Sequence, residues 1–118
     1  MIPPGEPNAA GRLGLEPVAA VHDVPPGTLR AVTLPSGTRV CLANVEGEIM
    51  AMHDVCSHQA FPLSEGTLLP GGILECAWHG ARFDCRTGAP VAPPAEAPVP
   101  RYATTVRDGL IYVHEENA

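Results

Sequence analysis

Two short cysteine and histidine pairs constrain this chain more than any other feature of its sequence. Cys56 and His58 form a C-x-H pair, Cys76 and His79 form a C-x-x-H pair, and seventeen residues separate His58 from Cys76. Because the members of each pair lie two or three positions apart, one loop can present both side chains to the same metal centre. The chain is therefore expected to bring two loops together around a metal site.

Two thiolates and two imidazoles suit a [2Fe–2S] cluster in which one iron binds the sulfur ligands and the other binds the nitrogen ligands. Structural zinc is an alternative, since it also takes two cysteines and two histidines, although its usual short spacer holds two cysteines together. A Cys-His hydrolase is a poorer interpretation, because the two near-identical pairs come with no evident orienting Asn or Asp and no oxyanion motif. The ligand set favours the cluster and leaves zinc open.

The composition of the chain predicts an all-β protein with many turns. Its 118 residues are enough for one domain and too few for two. Only 4% of the residues are aromatic and 45% are hydrophobic, while 14 prolines and 12 glycines break the chain frequently. Short strands separated by turns fit this composition better than helices do.

Apolar runs between turn signals predict six strands, at residues 18–21, 28–34, 39–45, 48–52, 102–106 and 110–113. Period two places Val40, Leu42 and Ile49 on the inward face of two neighbouring strands. Asp108-Gly109 is a strong hairpin signal between the last two strands.

The motifs also divide the chain. Residues 1–14 are expected to be a flexible tail, and residues 15–118 to be one domain. Within that domain, residues 54–95 contain both ligand pairs and little periodicity, which indicates an inserted, loop-rich subdomain organised by metal.

Charge and hydropathy exclude several classes of function. All seven basic residues are arginine and thirteen residues are acidic, so the formal net charge is −6. A nucleic-acid footprint is not expected from this balance, and Schiff-base chemistry is excluded because the chain has no lysine. No run of residues is long and apolar enough for a membrane span, and the N-terminus lacks signal-peptide features. A cytoplasmic protein without membrane contact is predicted.

Sequence around the ligand pairs resembles one known family. Leu63-Ser64-Glu65-Gly66 before the second pair and Gly80-Ala81-Arg82-Phe83-Asp84 after it are similar to the Rieske ferredoxins of bacterial aromatic-ring-hydroxylating dioxygenase systems, such as those acting on biphenyl, toluene or carbazole. The resemblance runs from about Val18 to His114. It implies a Rieske fold, in which a cluster-binding subdomain is inserted into an antiparallel β base built from both ends of the chain.

The same resemblance implies a function. The chain is expected to hold one [2Fe–2S] Rieske cluster and to carry single electrons from an NAD(P)H-dependent flavoprotein reductase to the Rieske centre of a terminal oxygenase. It would then be a component of an enzyme system without a small-molecule substrate of its own. The alternatives are a small Rieske subunit of a nitrite-reductase-like or other oxidoreductase, and a redox-sensing or structural cluster module.

The resemblance also assigns the surroundings of the cluster. Gly80 follows the second histidine ligand, and both it and Gly66 are expected to allow tight bends. Pro93 and Pro94 match the proline loop that covers the cluster from a third side, with a rigid linker as the alternative. Ala81 and Phe83 stand where high-potential Rieske proteins carry a Ser and a Tyr whose hydroxyls donate to cluster sulfurs. A potential near the low end of the Rieske range, roughly −150 mV, is therefore expected.

Three residues near the second ligand pair are candidates for contact with a partner protein, and two further cysteines lie outside the ligand pairs. Trp78 lies between two ligands and is interpreted either as a core aromatic or as part of an exposed docking patch. Arg82 and Arg86 follow the second loop and are candidates for pairing with acids on a redox partner. Cys41 and Cys85 are expected to lie in strands as buried free thiols, with a disulfide between them as the alternative.

Overall fold

Short extended segments separated by tight turns make up the described part of the chain, and the all-β expectation is confirmed. A computed structural model describes residues 16–55, 62–77, 80–93, 95 and 97–114. Two single-turn 3₁₀ helices, Val21–Asp23 and Leu63–Glu65, accompany the strands. The strands are β1 (Ala19–Ala20), β2 (Leu29–Thr33), β3 (Arg39–Val45), β4 (Glu48–His53), β5 (Thr67–Leu69), β6 (Ile73–Glu75), β7 (Arg82–Asp84), β8 (Pro90–Ala92), β9 (Arg101–Arg107) and β10 (Leu110–His114).

The larger sheet is built from both ends of the chain, as the family resemblance implied. Its six strands lie in the order β1-β10-β9-β4-β3-β2, and every neighbouring pair is antiparallel. The smaller sheet has the order β5-β6-β7-β8 and is formed entirely by the segment between β4 and β9. We call these two sheets the base sheet and the small sheet.

Two-residue turns set the register of the base hairpins. Glu46 and Gly47 connect β3 to β4 with φ values of 55° and 97°, and Asp108 and Gly109 connect β9 to β10 with 56° and 77°. Positive φ at both central residues is the signature of a type I′ turn, whose twist matches that of the flanking strands. The hairpin predicted at Asp108-Gly109 is confirmed, with Leu110 paired to Arg107.

Strands β3 and β4 are buried on both faces. Val40, Leu42 and Ile49 belong to the interior of the base, as period two predicted. The alternate residues are also buried, and they form an outer core against the small sheet; this outer core contains Cys41, Ala43, Val45, Met50, Met52, Leu63, Leu74, Cys76, Ala81, Phe83, Cys85, Ala95 and Val99. A strand covered on both sides loses polar alternation, so its sequence becomes a continuous apolar run.

The insertion contains more regular structure than its sequence suggested. It was expected to be loop-rich, yet four strands of three residues each form the small sheet. Three residues cover less than two periods of a strand, so no alternating pattern can emerge from them. The limits of a subdomain at residues 54 and 95 stay a prediction, although the small sheet falls within them.

The predicted base strands match the structure closely, with one exception. The segment at 18–21 was predicted to be a strand, but β1 covers only Ala19–Ala20 and a 3₁₀ turn follows at Val21–Asp23. The Asp23 carboxylate accepts a hydrogen bond from the Ala20 backbone N–H at 3.1 Å. This local bond turns the chain before the strand can extend, because Asp competes effectively for nearby backbone donors.

Candidate metal centre

Cys76 is the one predicted ligand that lies in the described part of the chain. It directly follows β6, and only 1% of its surface is exposed. The other three predicted ligands, Cys56, His58 and His79, lie outside the described residues. Within the described ranges no three potential metal ligands lie together, because only one of the four predicted ligands belongs to those ranges.

The second ligand pair lies in the loop of a tight hairpin. Glu75 ends β6 and Arg82 begins β7, and these residues face each other in the last register pair. Above them the Cys76 N–H donates to the Ala81 carbonyl at 2.7 Å. Gly80 has a φ of +73°, a conformation that glycine adopts without a Cβ penalty. The bend predicted at Gly80 is therefore confirmed, and the loop is closed at its base by backbone hydrogen bonds.

The residues behind this loop are completely buried. Ala81 and Phe83 both have 0% exposure and pack in the outer core together with Cys76. Neither side chain carries a hydroxyl, so neither can donate a hydrogen bond to sulfur. That Ala81 and Phe83 lie next to the cluster stays a prediction. Their buried side chains without polar atoms fit the low reduction potential expected from the sequence.

The first ligand pair lies in a segment whose two flanks are tied together by a buried carboxylate. Asp54 follows β4, and its side chain has no solvent exposure. It accepts hydrogen bonds from the Ser64 N–H at 2.7 Å and the Ser64 hydroxyl at 2.8 Å. The Arg39 guanidinium lies 3.8 Å from the same carboxylate. Hydrogen bonds to a charged group contribute about 1.5–3 kcal/mol each, so this contact is strong.

Sequence reasoning missed the role of Asp54. The one available signal was an acidic residue two positions before a predicted cysteine ligand. Ser64 entered the sequence analysis only as part of a family motif. The pairing depends on the fold, because the two residues are ten positions apart in the sequence. Nothing in the sequence distinguishes Asp54 from the other acidic residues of the chain, thirteen in all, as the one that is buried.

Gly66 is required by space rather than by backbone angle. Both Gly66 and Gly80 were predicted to allow tight bends, but the φ of Gly66 is −85°, which any residue can adopt. A Cβ at Gly66 would instead collide with the backbone carbonyl of Glu75. Gly80 thus forms its bend with a positive φ, whereas Gly66 ends a 3₁₀ turn at a place where the close approach of β6 excludes a side chain.

The proline segment lies beside the second loop. Strand β8 pairs with β7 through Arg82 and Ala92. Pro93 follows as an exposed turn residue and Ala95 is buried at 9% exposure. Pro94 lies outside the described residues. The pairing brings Pro93 close to the base of the loop, and its function as a cover for the cluster stays a prediction.

The two candidate docking arginines already have partners within the chain. Arg82 Nε lies 3.0 Å from Glu75 Oε2, with 47% and 32% of these side chains exposed. Arg86 Nη1 donates to the Gly71 carbonyl at 3.0 Å. Exposed pairs of this kind contribute about 0–1 kcal/mol, so either guanidinium can exchange partners easily. Trp78, the third candidate, lies outside the described residues.

The remaining cysteines are buried thiols. Cys41 lies in β3 and Cys85 lies in the turn after β7, and both are free. The disulfide alternative is therefore wrong, and so is the placement of Cys85 in a strand. Burial, followed by the nearby Asp54 carboxylate, raises the pKa of Cys41 well above its ordinary value. Burial and then Asp84 raise the pKa of Cys85 to about 11.

Comparison with known proteins assigns the chain to a family. The Rieske [2Fe-2S] domain family matches residues 14–103. The ferredoxin component of the p-cumate 2,3-dioxygenase system of Pseudomonas putida is 43% identical over 96 residues, which are 81% of this chain and 81% of that protein. The chain therefore belongs to the Rieske [2Fe–2S] family.

Solved structures narrow the class further. A chain in the complex of reduced oxygenase and oxidized ferredoxin in carbazole 1,9a-dioxygenase has a TM-score of 0.82 at 33% identity, covering 90% of this chain and 97% of that one. The ferredoxin of carbazole 1,9a-dioxygenase from Nocardioides aromaticivorans IC177 has a TM-score of 0.79 at 32% identity, covering 84% and 95%. The protein is accordingly a ferredoxin of the Rieske class, which transfers electrons and is not itself a catalyst.

The residues present fit the cofactor of this family, which is one [2Fe–2S] cluster. A cluster with mixed ligation needs two thiolates and two imidazoles, and the two pairs supply that set. The described half of the second loop supports this fit, because Cys76 lies at the base of a hydrogen-bonded hairpin and within an apolar core. The family match removes the reason for considering zinc or a hydrolase.

Proposed function

We propose that this protein carries single electrons from an NAD(P)H-dependent flavoprotein reductase to the Rieske centre of a terminal aromatic-ring-hydroxylating oxygenase. The observation that carries the proposal is the near-complete match of the chain to ferredoxins of such systems. One of those structures is a complex of a ferredoxin with an oxygenase, which supports an oxygenase as the electron acceptor. The reductase follows from the need for an electron source.

In this proposal Cys56 and Cys76 bind one iron of the cluster, and His58 and His79 bind the other. The bound cluster supplies a one-electron couple. Neutral imidazoles in place of two thiolates make the cluster less negative, which favours reduction. The chain's own contribution is to hold the ligands: the hairpin base fixes Cys76, while the apolar core formed by Ala81 and Phe83 keeps water away from it.

Three exposed or loop residues are proposed to contact the partners. Trp78 lies between two ligands in the sequence, and Arg82 and Arg86 are at least partly exposed next to the second loop. Their ion pair and carbonyl contact within the chain are weak enough to be exchanged for a partner's acidic side chain. We place the protein in the cytoplasm, and the free thiols of Cys41 and Cys85 support a reducing compartment. Among the described residues no helix has the length and hydropathy needed to cross a membrane.

Electron transfer itself is the test of this function. The oxidised protein is mixed in a stopped-flow instrument with a ferredoxin reductase of an aromatic dioxygenase system and NADH, and the reduced protein is then mixed with the oxygenase. Rapid reduction followed by rapid reoxidation is expected. A tight stoichiometric complex without turnover would contradict the proposal and favour a small oxidoreductase subunit or a redox-sensing module instead.

A further inference from the structure

The Asp54 carboxylate is a buried charged group two positions before the predicted ligand Cys56. Its side chain has no exposed surface, whereas the side chain of its closest cation, Arg39, is 56% exposed. Both carboxylate oxygens are used: Oδ1 accepts from the Ser64 N–H, and Oδ2 accepts from the Ser64 hydroxyl and faces Arg39. The Asp54 N–H also donates to the Arg39 carbonyl at 3.0 Å. A buried carboxylate that accepts two hydrogen bonds and faces a guanidinium is costly to disturb, because losing a partner leaves a buried charge uncompensated.

The position of this contact in the chain gives it a consequence for the ligands. Asp54 ends the run of β4, and Ser64 lies in the 3₁₀ turn at Leu63–Glu65. Cys56 and His58 lie between them in the sequence. Leu63, next to Ser64, is fully buried in the outer core, so this end of the segment is fixed as well. The carboxylate thus joins the two ends of the segment that carries the first ligand pair.

The second ligand loop has a similar acid in a different environment. Glu75 directly precedes Cys76, and it pairs with Arg82 across the hairpin at the surface. The Cys76 N–H already closes that loop onto Ala81 through the backbone. Here the ion pair is exposed and adds to a backbone closure, whereas the carboxylate that links the flanks of the first segment is buried.

We propose that Asp54 is a positioning residue for the cluster, holding the segment of Cys56 and His58 ready to bind iron, and that Glu75 has no such role. The inference rests on the proposed assignment of these two ligands. Its physical basis is preorganisation: a loop whose ends are fixed loses less freedom when its side chains bind a metal, so iron is retained longer.

Three single substitutions in the full-length holoprotein separate positioning from charge. Asp54→Asn and Glu75→Gln each remove one negative charge beside a ligand, while Ser64→Ala keeps the charge and removes one hydrogen bond. The rate of iron loss to an excess of chelator is measured well below the unfolding temperature, together with the EPR spectrum of the reduced protein. Ser36→Ala, which removes an exposed hydroxyl bonded to Thr38, is the matched control for Ser64→Ala.

Asp54→Asn weakens the charge-assisted hydrogen bonds from Ser64, so it is expected to lose iron about tenfold faster than wild type and to broaden the EPR lines. Ser64→Ala removes only one hydrogen bond and is expected to lose iron about threefold faster. Glu75→Gln and Ser36→Ala should stay within about twofold of wild type, as exposed contacts do. Ile111→Val lowers the stability of the base core without touching the ligand loops, and its EPR spectrum should match that of the wild type. This control shows whether a general loss of stability alone changes the spectrum.

Equal behaviour of Asp54→Asn and Glu75→Gln would overturn the inference, because both would then act through charge alone. If Asp54→Asn yields no folded protein, Ser64→Ala decides: iron loss equal to that of Ser36→Ala contradicts positioning. A wild-type protein without a Rieske EPR signal would instead overturn the proposed ligands, so the two failures are distinguishable.

Discussion

At the scale of residues, the site depends on a few side chains that are buried without solvent. Burial of the Asp54 carboxylate is compensated by two hydrogen bonds from Ser64 and by the nearby Arg39, and burial of Cys41 and Cys85 costs little because a neutral thiol behaves as a small apolar group. Cys76 shares the outer core with both thiols. Burial therefore does not distinguish a proposed ligand from a packing cysteine, and what marks Cys76 is the histidine three positions later in the sequence.

Raised thiol pKa values predict a loss of stability at alkaline pH. The pKa of Cys85 is about 11 in the folded protein against an ordinary value of 9.0. Below pH 9 the thiol is protonated in both states and its contribution is complete. Between pH 9 and about 11 the unfolded thiol ionises first, so the free energy of unfolding falls as pH rises. The loss from Cys85 is up to about 2 kcal/mol.

This loss is measured as the thermal midpoint of the wild type and of Cys85→Ala at several pH values from neutral upward. The substitution lowers the midpoint at neutral pH through lost packing, but the two curves should converge above pH 9. Parallel curves over the whole range would show that ionisation of this thiol is not linked to folding.

Hydrogen-bond donors at Ala81 and Phe83 should raise the reduction potential. Reduction adds negative charge to the cluster, so each new donor stabilises the reduced form. At about 1 kcal/mol per bond the gain is roughly 40 mV in a one-electron couple. Ala81→Ser combined with Phe83→Tyr is expected to raise the potential by on the order of 100 mV, where charge assistance strengthens both bonds.

Protein-film voltammetry of wild type and double variant measures this shift. Ala103→Ser on the exposed part of β9 is the control and should leave the potential unchanged. Because both natural side chains are fully buried, a variant that keeps the cluster without any rise in potential would show that backbone donors already dominate the tuning.

At the scale of elements, the small sheet and the two flanking turns arrange the loops. Strands β6 and β7 hold the second loop, and the 3₁₀ turn at Leu63–Glu65 holds one end of the first. Gly66 lies where the two meet, since a Cβ at this position would collide with the backbone carbonyl of Glu75. The ligand loops are therefore coupled through a contact that leaves no room for a side chain.

Gly66→Ala is expected to destabilise the protein by about 1–3 kcal/mol, because the new methyl group forces the backbone of β6 to move. Gly37→Ala is the matched control: Gly37 has a φ of +96° and open space around it, so that its cost is about 1 kcal/mol from backbone strain alone. Thermal unfolding followed by the visible absorbance of the cluster compares the two. A smaller effect at Gly66 than at Gly37 would contradict the close approach.

The sequence predicted the base sheet well and the insertion poorly, for physical reasons. Period two and turn residues located β3 within its observed bounds, and the Asp108-Gly109 turn fixed the last hairpin. Strands of three residues carry no readable period, so β5 to β8 were missed. The contact of Asp54 with Ser64 was also missed, since it depends on a fold that brings distant positions together.

At the scale of the whole molecule, strands from both ends of the chain build the base sheet, and the segment between them contains the small sheet and the predicted ligands. The outer faces of β3 and β4 form the floor on which the small sheet packs. The net charge of −6 acts over the whole surface, while the candidate docking arginines act locally beside the second loop. For an acidic partner, the net charge causes repulsion whereas the two arginines cause local attraction.

Ionic strength and Trp78 test how partners are recognised. If attraction between charges controls the encounter, the rate of electron transfer should fall as salt is raised over the range in which the Debye length shrinks from about 30 to about 8 Å. Trp78→Ala should slow the transfer at every ionic strength with little change in potential. An unchanged rate in this variant, measured by stopped-flow reoxidation, would remove Trp78 from the docking surface.

EPR of the dithionite-reduced protein is the sharpest test of whether two cysteines and two histidines hold one [2Fe–2S] cluster. Two irons and two acid-labile sulfides per chain, with a Rieske-type signal of low average g, are expected. The signal should persist in the Cys41→Ala, Cys85→Ala double variant and disappear in Cys76→Ala. A colourless protein containing zinc, or a Rieske signal that survives the loss of Cys76, would contradict the account.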